Sequence, residues 1–280
     1  VKGIDKMTYA SRPELLKEFE IWDRFSFHKE DIVSLKWLYD CDYVINLAAE
    51  THVDNSIVSS DDFVHSNING VHHLLELIRQ KRIKPTLLQF SSDEVYGDTL
   101  DKYHTETELL APSNPYSATK AAADQLILAW SRTYGVPYVI VRPTNNYGIG
   151  QYVEKLIPLT CKYFQLEKKI PLHNQGLPVR NWLYAGDTAL AIIRIIKTDQ
   201  RNEIFNISGH YEQTNIVTVR KILGLLNADL TNEDRYINKT CVRDGQDVRY
   251  AVDDSKLQAI GWKPIAQFDK QLPEIGSYYR

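Results

Sequence analysis

Three short runs set the strongest limit on what this chain can fold into. "YVINLAA" (43–49), "PTLLQFSS" (85–92) and "PYVIVRP" (137–143) are nearly all apolar. A strand with one wet face alternates apolar and polar residues. A run that is apolar throughout is covered on both faces, as in a parallel sheet. Between these runs lie "FVHSNINGVHHLLELIRQKR" (63–82) and "SATKAAADQLILAWSRTYG" (117–135). Both repeat apolar residues at helical spacing, and Gly135 supplies a C-terminal stop. The β-α-β-α order predicts a doubly wound α/β fold.

After residue 148 the rhythm changes. "PVRNWLYAGD" (178–187) and "TVRKILGLLN" (218–227) read as short helices among loops. The expectation is a first domain at 1–148 and a smaller, mixed second lobe at 149–280. "GDTALAIIRIIK" (186–197) is apolar enough for the stretch 181–198 to pack back on the first domain.

The bulk numbers exclude several classes. A net charge of -3, from 33 basic and 36 acidic residues, gives no nucleic-acid footprint. No apolar run has the length of a membrane span, and no secretory signal opens the chain. Cys41, Cys161 and Cys241 are odd in number and widely spaced, which argues against a disulfide framework or a zinc site. A reducing cytoplasm and no metal are the expectation.

In open α/β sheets, ligands sit outside the carboxyl ends of the strands. "NLAAETHVD", "SSDEVYG" and "RPTNNYG" follow three strand ends. The second places Asp93 beside Glu94, a pair that is costly unless each acid has its own task. "PYSATK" sets Tyr116 and Lys120 at i and i+4 on one helix face. An ammonium beside a phenol favours the phenolate, so the expectation is a tyrosine whose pKa is lowered toward neutrality. Asp5, at the end of "VKGID", is suited to a ribose and points to NAD rather than NADP. Asp31 either touches the adenine or caps a helix. No glycine lies between Gly3 and Gly70, so the Gly-rich loop of a dinucleotide fold is missing near Asp5. "VKGID" reads as a strand end, and truncation is the expected reason.

Together these residues resemble the extended short-chain dehydrogenase/reductase superfamily, and within it the nucleotide-sugar 4,6-dehydratases that act on dTDP-glucose. The resemblance runs through "IDKMTYA", "LAAETHVDNSI", "SSDEVYGD", "PSNPYSATKAAAD", "NNYG", "EKLIP", "RNWLY", "NISG" and "GWKP", nearly the whole chain. It implies a Rossmann-like doubly wound sheet, NAD as cofactor, a nucleotide-sugar substrate and a homodimer. The Asp-Glu pair is the mark that separates the dehydratases from their relatives. A related epimerase or decarboxylase would use the same Tyr-Lys pair, and a truncated homologue unable to hold NAD would not turn over.

The resemblance also implies roles. Tyr116 takes the 4-hydroxyl proton, Glu94 removes the C5 proton, and Asp93 in its acid form protonates the departing 6-hydroxyl. Ser92 bonds the 4-oxygen and Lys120 holds the nicotinamide ribose. Asp5, Lys6, Thr8, Asp31 and Ile32 match adenosine contacts, while Leu47, Ala48, Ala49, Ser66 and Asn146 match the rest of the cofactor site. Thr51, Asn145, Lys155, Leu156, Arg180, Asn206 and Arg243 match sugar-nucleotide contacts. His52, Tyr147, Trp182 and Tyr184 read as packing. The chain departs from the family pattern at Asp244 and Gln246 in "VRDGQDVRY", and at His173 in "PLHNQG". Those departures leave the choice of thymine or uracil open.

Overall fold

A computed structural model describes residues 1–279. Its centre is a parallel sheet of four strands, in the order Tyr43–Asn46, Thr86–Phe90, Tyr138–Pro143 and Glu203–Ile207. The fourth strand, "EIFNI", comes from beyond residue 148 and pairs with the third, Val141 opposite Phe205. A separate parallel ladder joins Lys2–Asp5 to Ser26–Lys29.

The side-chain sorting explains the all-apolar runs. Leu87 and Ile140 face one layer, with Val71, Leu75 and Ile78 of helix Gly70–Arg79 and Ile127 of helix Pro115–Tyr134. Leu88, Val139 and Val141 face the other, with Ala191 and Ile195 of helix Ala185–Lys197. Each such side chain taken wholly out of water contributes about 1.5–3 kcal/mol. Both faces of Thr86–Phe90 and Tyr138–Pro143 are covered, whereas the edge strand Tyr43–Asn46 leaves Ile45 exposed.

The stretch 178–187 is not the short helix its sequence suggested. Val179–Tyr184 is a strand, parallel to Asn145–Tyr147 on one side and antiparallel to Glu212–Thr214 on the other. Two neighbours satisfy its backbone, and its Val, Trp and Tyr suit a pleated surface better than a helix. The helix begins only at Ala185. "TVRKILGLLN" does lie within a helix through most of its length, Asn215–Leu225. Tyr147 and Trp182 pack with Phe268 in a second core, with Tyr184 at its margin.

Two buried polar networks fix the parts that carry the site. Helix 61–79 is interrupted by a π-helical turn, Val64–Asn69. The wider turn directs Asn67 inward, where it accepts from Glu50 N (2.9 Å) and donates to Glu50 O (3.0 Å) and Thr119 Oγ1 (2.9 Å). The second network is ionic. Arg142 donates to Asp124 from Nε (3.0 Å) and to the Tyr96 hydroxyl (2.7 Å), which donates in turn to Asn206 (2.9 Å). Arg142 and Asp124 are both essentially without solvent contact.

Candidate active site

The strand Thr86–Phe90 delivers the chain into a tight turn, Asp93–Tyr96. Ser92 caps it, its hydroxyl accepting from Glu94 N (3.2 Å). Gly97 closes it at φ +79°, where an added Cβ would run into the Ala111 carbonyl. The turn forces adjacent acids into different surroundings. Asp93 points inward, accepts from Ser92 Oγ (3.2 Å) at one oxygen, and has no partner at the other. Burial, with the charge of Glu94 beside it, pushes the Asp93 carboxyl up to about 8. Glu94 lines the cleft. Burial raises it too, but Arg180 opposes that rise, and Asn114 Nδ2 (3.5 Å) and the Tyr250 hydroxyl (3.3 Å) approach its carboxylate. The two acids thus differ in placement, Asp93 facing inward and Glu94 facing the cleft, while burial raises both and Arg180 lowers both.

Tyr116 and Lys120 sit in the first turns of the helix Pro115–Tyr134. Pro115 opens it, and Asn114 and Ser117 form a reciprocal cap. Tyr116 N is tied to Ser56 Oγ (3.2 Å), which orients the helix start. The expected lowering of the tyrosine is not found. Burial raises the phenol well above its ordinary value, Glu94 and Asp93 raise it further, and a hydrogen bond with Ser92 works the other way. The Lys120 ammonium donates to Phe90 O (2.5 Å) and is itself pushed down to about 8 by burial. Burial first, and then the two carboxylates, set the direction of the phenol's shift.

The other expected residues divide into groups. Thr51, Asn145, Asn146, Lys155, Leu156, Arg180 and Arg243 line one cleft of about 560 Å³ together with Glu94. Lys155 Nζ donates to Thr51 O (2.9 Å) and Oγ1 (3.1 Å). Arg180 stacks on Tyr250 at 4.6 Å, and Arg243 holds Asp54 through two bonds of 2.5 and 2.8 Å. His173 and then Arg243 keep the Asp54 carboxyl far below the usual range. Asn145 Oδ1 is buried with no partner, an acceptor left open in the cleft wall.

A second group gathers at the end of Lys2–Asp5. Lys6 Nζ donates to Ser66 Oγ (2.7 Å) and lies 3.8 Å from Asp31, which caps the turn Ile32–Ser34. Asp5 accepts from Met7 N (2.5 Å), and Thr8 O accepts from Ser11 N (3.0 Å). Ile32 is buried in the core, so only its backbone is left for a ligand. Leu47 is exposed past the strand Tyr43–Asn46, with Ala48 N bonded to Asn46 Oδ1 (3.2 Å) and Ala49 partly buried beside it.

Asn206 is not brought to the cleft. It is fully buried in the last strand of the four-stranded sheet, donating to His104 O (2.9 Å) and Asp253 O (3.0 Å) and accepting from Tyr96. Its amide is fully used within the fold. Asn114, Asp54 and Tyr250 also line the cleft and were not singled out from sequence. The Asn-Pro before a helical pattern was a readable signal for Asn114.

The donor set fits both ends of NAD. Lys120 has three donors and the fold uses one, which leaves two for a ribose diol. Asp5 and Asp31 lie near Lys6 as carboxylates that could receive the other ribose. For the diphosphate between them, this chain has no glycine from 4 to 69 with which to form a cradle.

The fold and this pairing of acids with Tyr116 and Lys120 define a nucleotide-sugar dehydratase of the extended short-chain dehydrogenase/reductase class. The model of the GDP-mannose 4,6 dehydratase family matches residues 1–275. The chain is 38% identical to a dTDP-glucose 4,6-dehydratase of Haemophilus influenzae, over all of this chain and 90% of that protein. A crystallised dTDP-glucose 4,6-dehydratase from Streptomyces venezuelae, with NAD bound, superposes at a TM-score of 0.92. It is 31% identical over all of this chain and 87% of its own. One from Bacillus anthracis, in complex with NAD, gives 0.88 at 34% identity, covering 99% of this chain and 87% of its own. The chain belongs to the dTDP-glucose 4,6-dehydratase family. Among the described residues, no helix is long and apolar enough to cross a membrane.

Proposed function

We propose that this chain is an NAD-dependent lyase that converts dTDP-glucose to dTDP-4-keto-6-deoxyglucose. The observation that carries this reading is the different placement of the two adjacent acids, Asp93 buried with one oxygen unpartnered and Glu94 at the cleft. NAD, when bound, would accept the C4 hydride and return it at C6. The chain's residues supply the proton transfers. Tyr116 takes the 4-hydroxyl proton, and a sugar 4-ketone then acidifies C5. Glu94 removes the C5 proton while Asp93 gives its proton to the leaving 6-hydroxyl. Ser92, bonded to Asp93 and acting on the Tyr116 phenol, spans the two steps. A buried phenol needs its negative neighbours offset before it can act as a base, and the cationic nicotinamide and Lys120 together would do so.

Arg180 and Arg243 are suited to the diphosphate, since a guanidinium pairs with phosphate oxygens in two bonds. Arg243 must first leave Asp54. Lys120 and Tyr116 would hold the nicotinamide ribose, and Asp5, Lys6, Thr8, Asp31, Ile32 and Ser66 the adenosine. Asn206 belongs in this reading to the support of the site. We divide the chain at residue 148 into a cofactor side and a mainly substrate side, with 181–198 packed on the former. A homodimer and a cytoplasmic site of action complete the reading; free thiols at Cys41 and Cys241 suit a reducing compartment.

The test is incubation of the purified chain with NAD and dTDP-glucose, read by the alkali-induced absorbance of a 4-keto sugar. Formation of that product, lost in Glu94→Gln, is the expected result. No product with NAD present overturns the reading, and product from UDP-glucose alone overturns the nucleotide assignment.

A further inference from the structure

Behind Glu94 lies a pair of groups to which the reaction above gives no task. The Tyr250 hydroxyl stands 2.5 Å from Asp247 Oδ2 and 3.3 Å from Glu94 Oε2. Tyr250 and Asp247 are both buried, at 3% and 5% exposure. Asp247 is fixed from several sides. Ser113 Oγ donates to its carboxylate, and its carbonyl accepts from Arg180 (3.3 Å) and Gln246 (3.0 Å). The Tyr250 ring is pinned beneath the Arg180 guanidinium at 4.6 Å.

A phenol has one proton and cannot give it to both carboxyls. The distances decide where it goes. At 2.5 Å the bond to Asp247 is a short, charge-assisted one, while the approach to Glu94 is long. The proton therefore lies toward Asp247, and the phenol oxygen turns a lone pair to Glu94. A lone pair there repels a carboxylate and accepts from a carboxylic acid. We propose that Tyr250, oriented by Asp247, is the positioning residue that receives the Glu94 proton in a hydrogen bond once Glu94 has taken it from C5. The inference rests on the reading of Glu94 as the C5 base.

The step balances. The C5–H bond breaks, its electron pair enters the enolate, and the proton forms an O–H bond on Glu94. That O–H then donates to the Tyr250 oxygen, while the phenol proton stays on its side of Asp247. Tyr250 remains neutral throughout, since burial and the Glu94 charge hold its pKa well above 10. Asp93, Tyr116, Lys155, Arg180, Asp247 and Tyr250 are the charged or titratable groups that face Glu94.

The test is Tyr250→Phe, which keeps the ring under Arg180 and removes only the hydroxyl. The readout is the titration of the Glu94 carboxyl by 13C NMR in the purified chain, assigned against Glu94→Gln, with no turnover required. The expected result is a lower Glu94 midpoint in the variant, because the acid form loses its acceptor. An unchanged midpoint, or a raised one, overturns the proposal; a rise would mean that the phenol donates to the carboxylate. Asp247→Asn is the second variant, and it must move the same midpoint. Turnover separates the two levels of the argument. With NAD and dTDP-glucose, Tyr250→Phe should lower kcat about tenfold at unchanged KM, the scale of one hydrogen bond. A midpoint that falls without loss of kcat leaves the dyad standing and removes Glu94 from the rate-limiting chemistry.

Discussion

Replacing Asp93 by Asn separates what this carboxyl does for chemistry from what it costs the fold. In the folded chain Asp93 keeps its proton up to about pH 8, against 3.8 for an ordinary aspartate. Between those values the folded chain binds the proton and the unfolded chain releases it. Stability is therefore greatest near and below about pH 4 and falls as pH rises, by about 1.4 kcal/mol per pH unit. The fall stops above about pH 8, where Asp93 ionises in both states, and by pH 7 it amounts to roughly 4 kcal/mol. Asn has the same shape and never ionises, so Asp93→Asn does not share this loss. Urea unfolding of both proteins at several pH values measures it, because every other titrating group is common to the two and largely cancels in the difference. From about pH 5 to about pH 8 the variant should gain roughly 4 kcal/mol on the wild type. The same substitution should cost about 10²- to 10⁴-fold in dehydration, the usual worth of a general acid. A stability difference that stays constant with pH would refute the reasoning, since Asp93 would then be ionised in the folded chain throughout.

Two further substitutions probe the frame around the acids. Gly97→Ala places a side chain at φ +79° and against the Ala111 carbonyl; thermal unfolding should show a loss of about 2 kcal/mol or more, with activity falling further as the turn shifts. Asn206→Ala strips partners from Tyr96, His104 O and Asp253 O; urea unfolding should show a loss of about 2–4 kcal/mol, while the KM for sugar nucleotide stays unchanged in the folded fraction.

The sheet was legible wherever burial on two faces left an unbroken apolar run. That held for the strands ending at Phe90 and Pro143; the strand ending at Asn46 was legible as well, although its Ile45 is exposed. It failed for Glu203–Ile207, whose Glu203 and Asn206 break the run because they serve polar neighbours across the chain. It failed also for Val179–Tyr184, where only strand partners remote in sequence choose between helix and strand. Asp93 and Glu94 could be read as an acid and a base from motif and resemblance. Their different surroundings could not, since these depend on Arg180, Asn114 and Tyr250. The Tyr116-Lys120 spacing set both residues in the first turns of one helix but gave the wrong direction of shift, because spacing carries no information about burial or the neighbouring carboxylates. Asn206 matched a motif, and only its partners reveal that its amide is already used.

The Asp124–Arg142 pair has a consequence for how such a chain can diverge. It joins the helix that bears Tyr116 and Lys120 to the central strand, and through Tyr96 to the turn that bears the two acids. Loss of either partner alone strands a charge in a dry interior at about 3–5 kcal/mol, a large part of a domain's whole margin. A lineage cannot easily cross that valley one substitution at a time. Positions 124 and 142 should therefore change together or not at all, however freely the surrounding surface drifts.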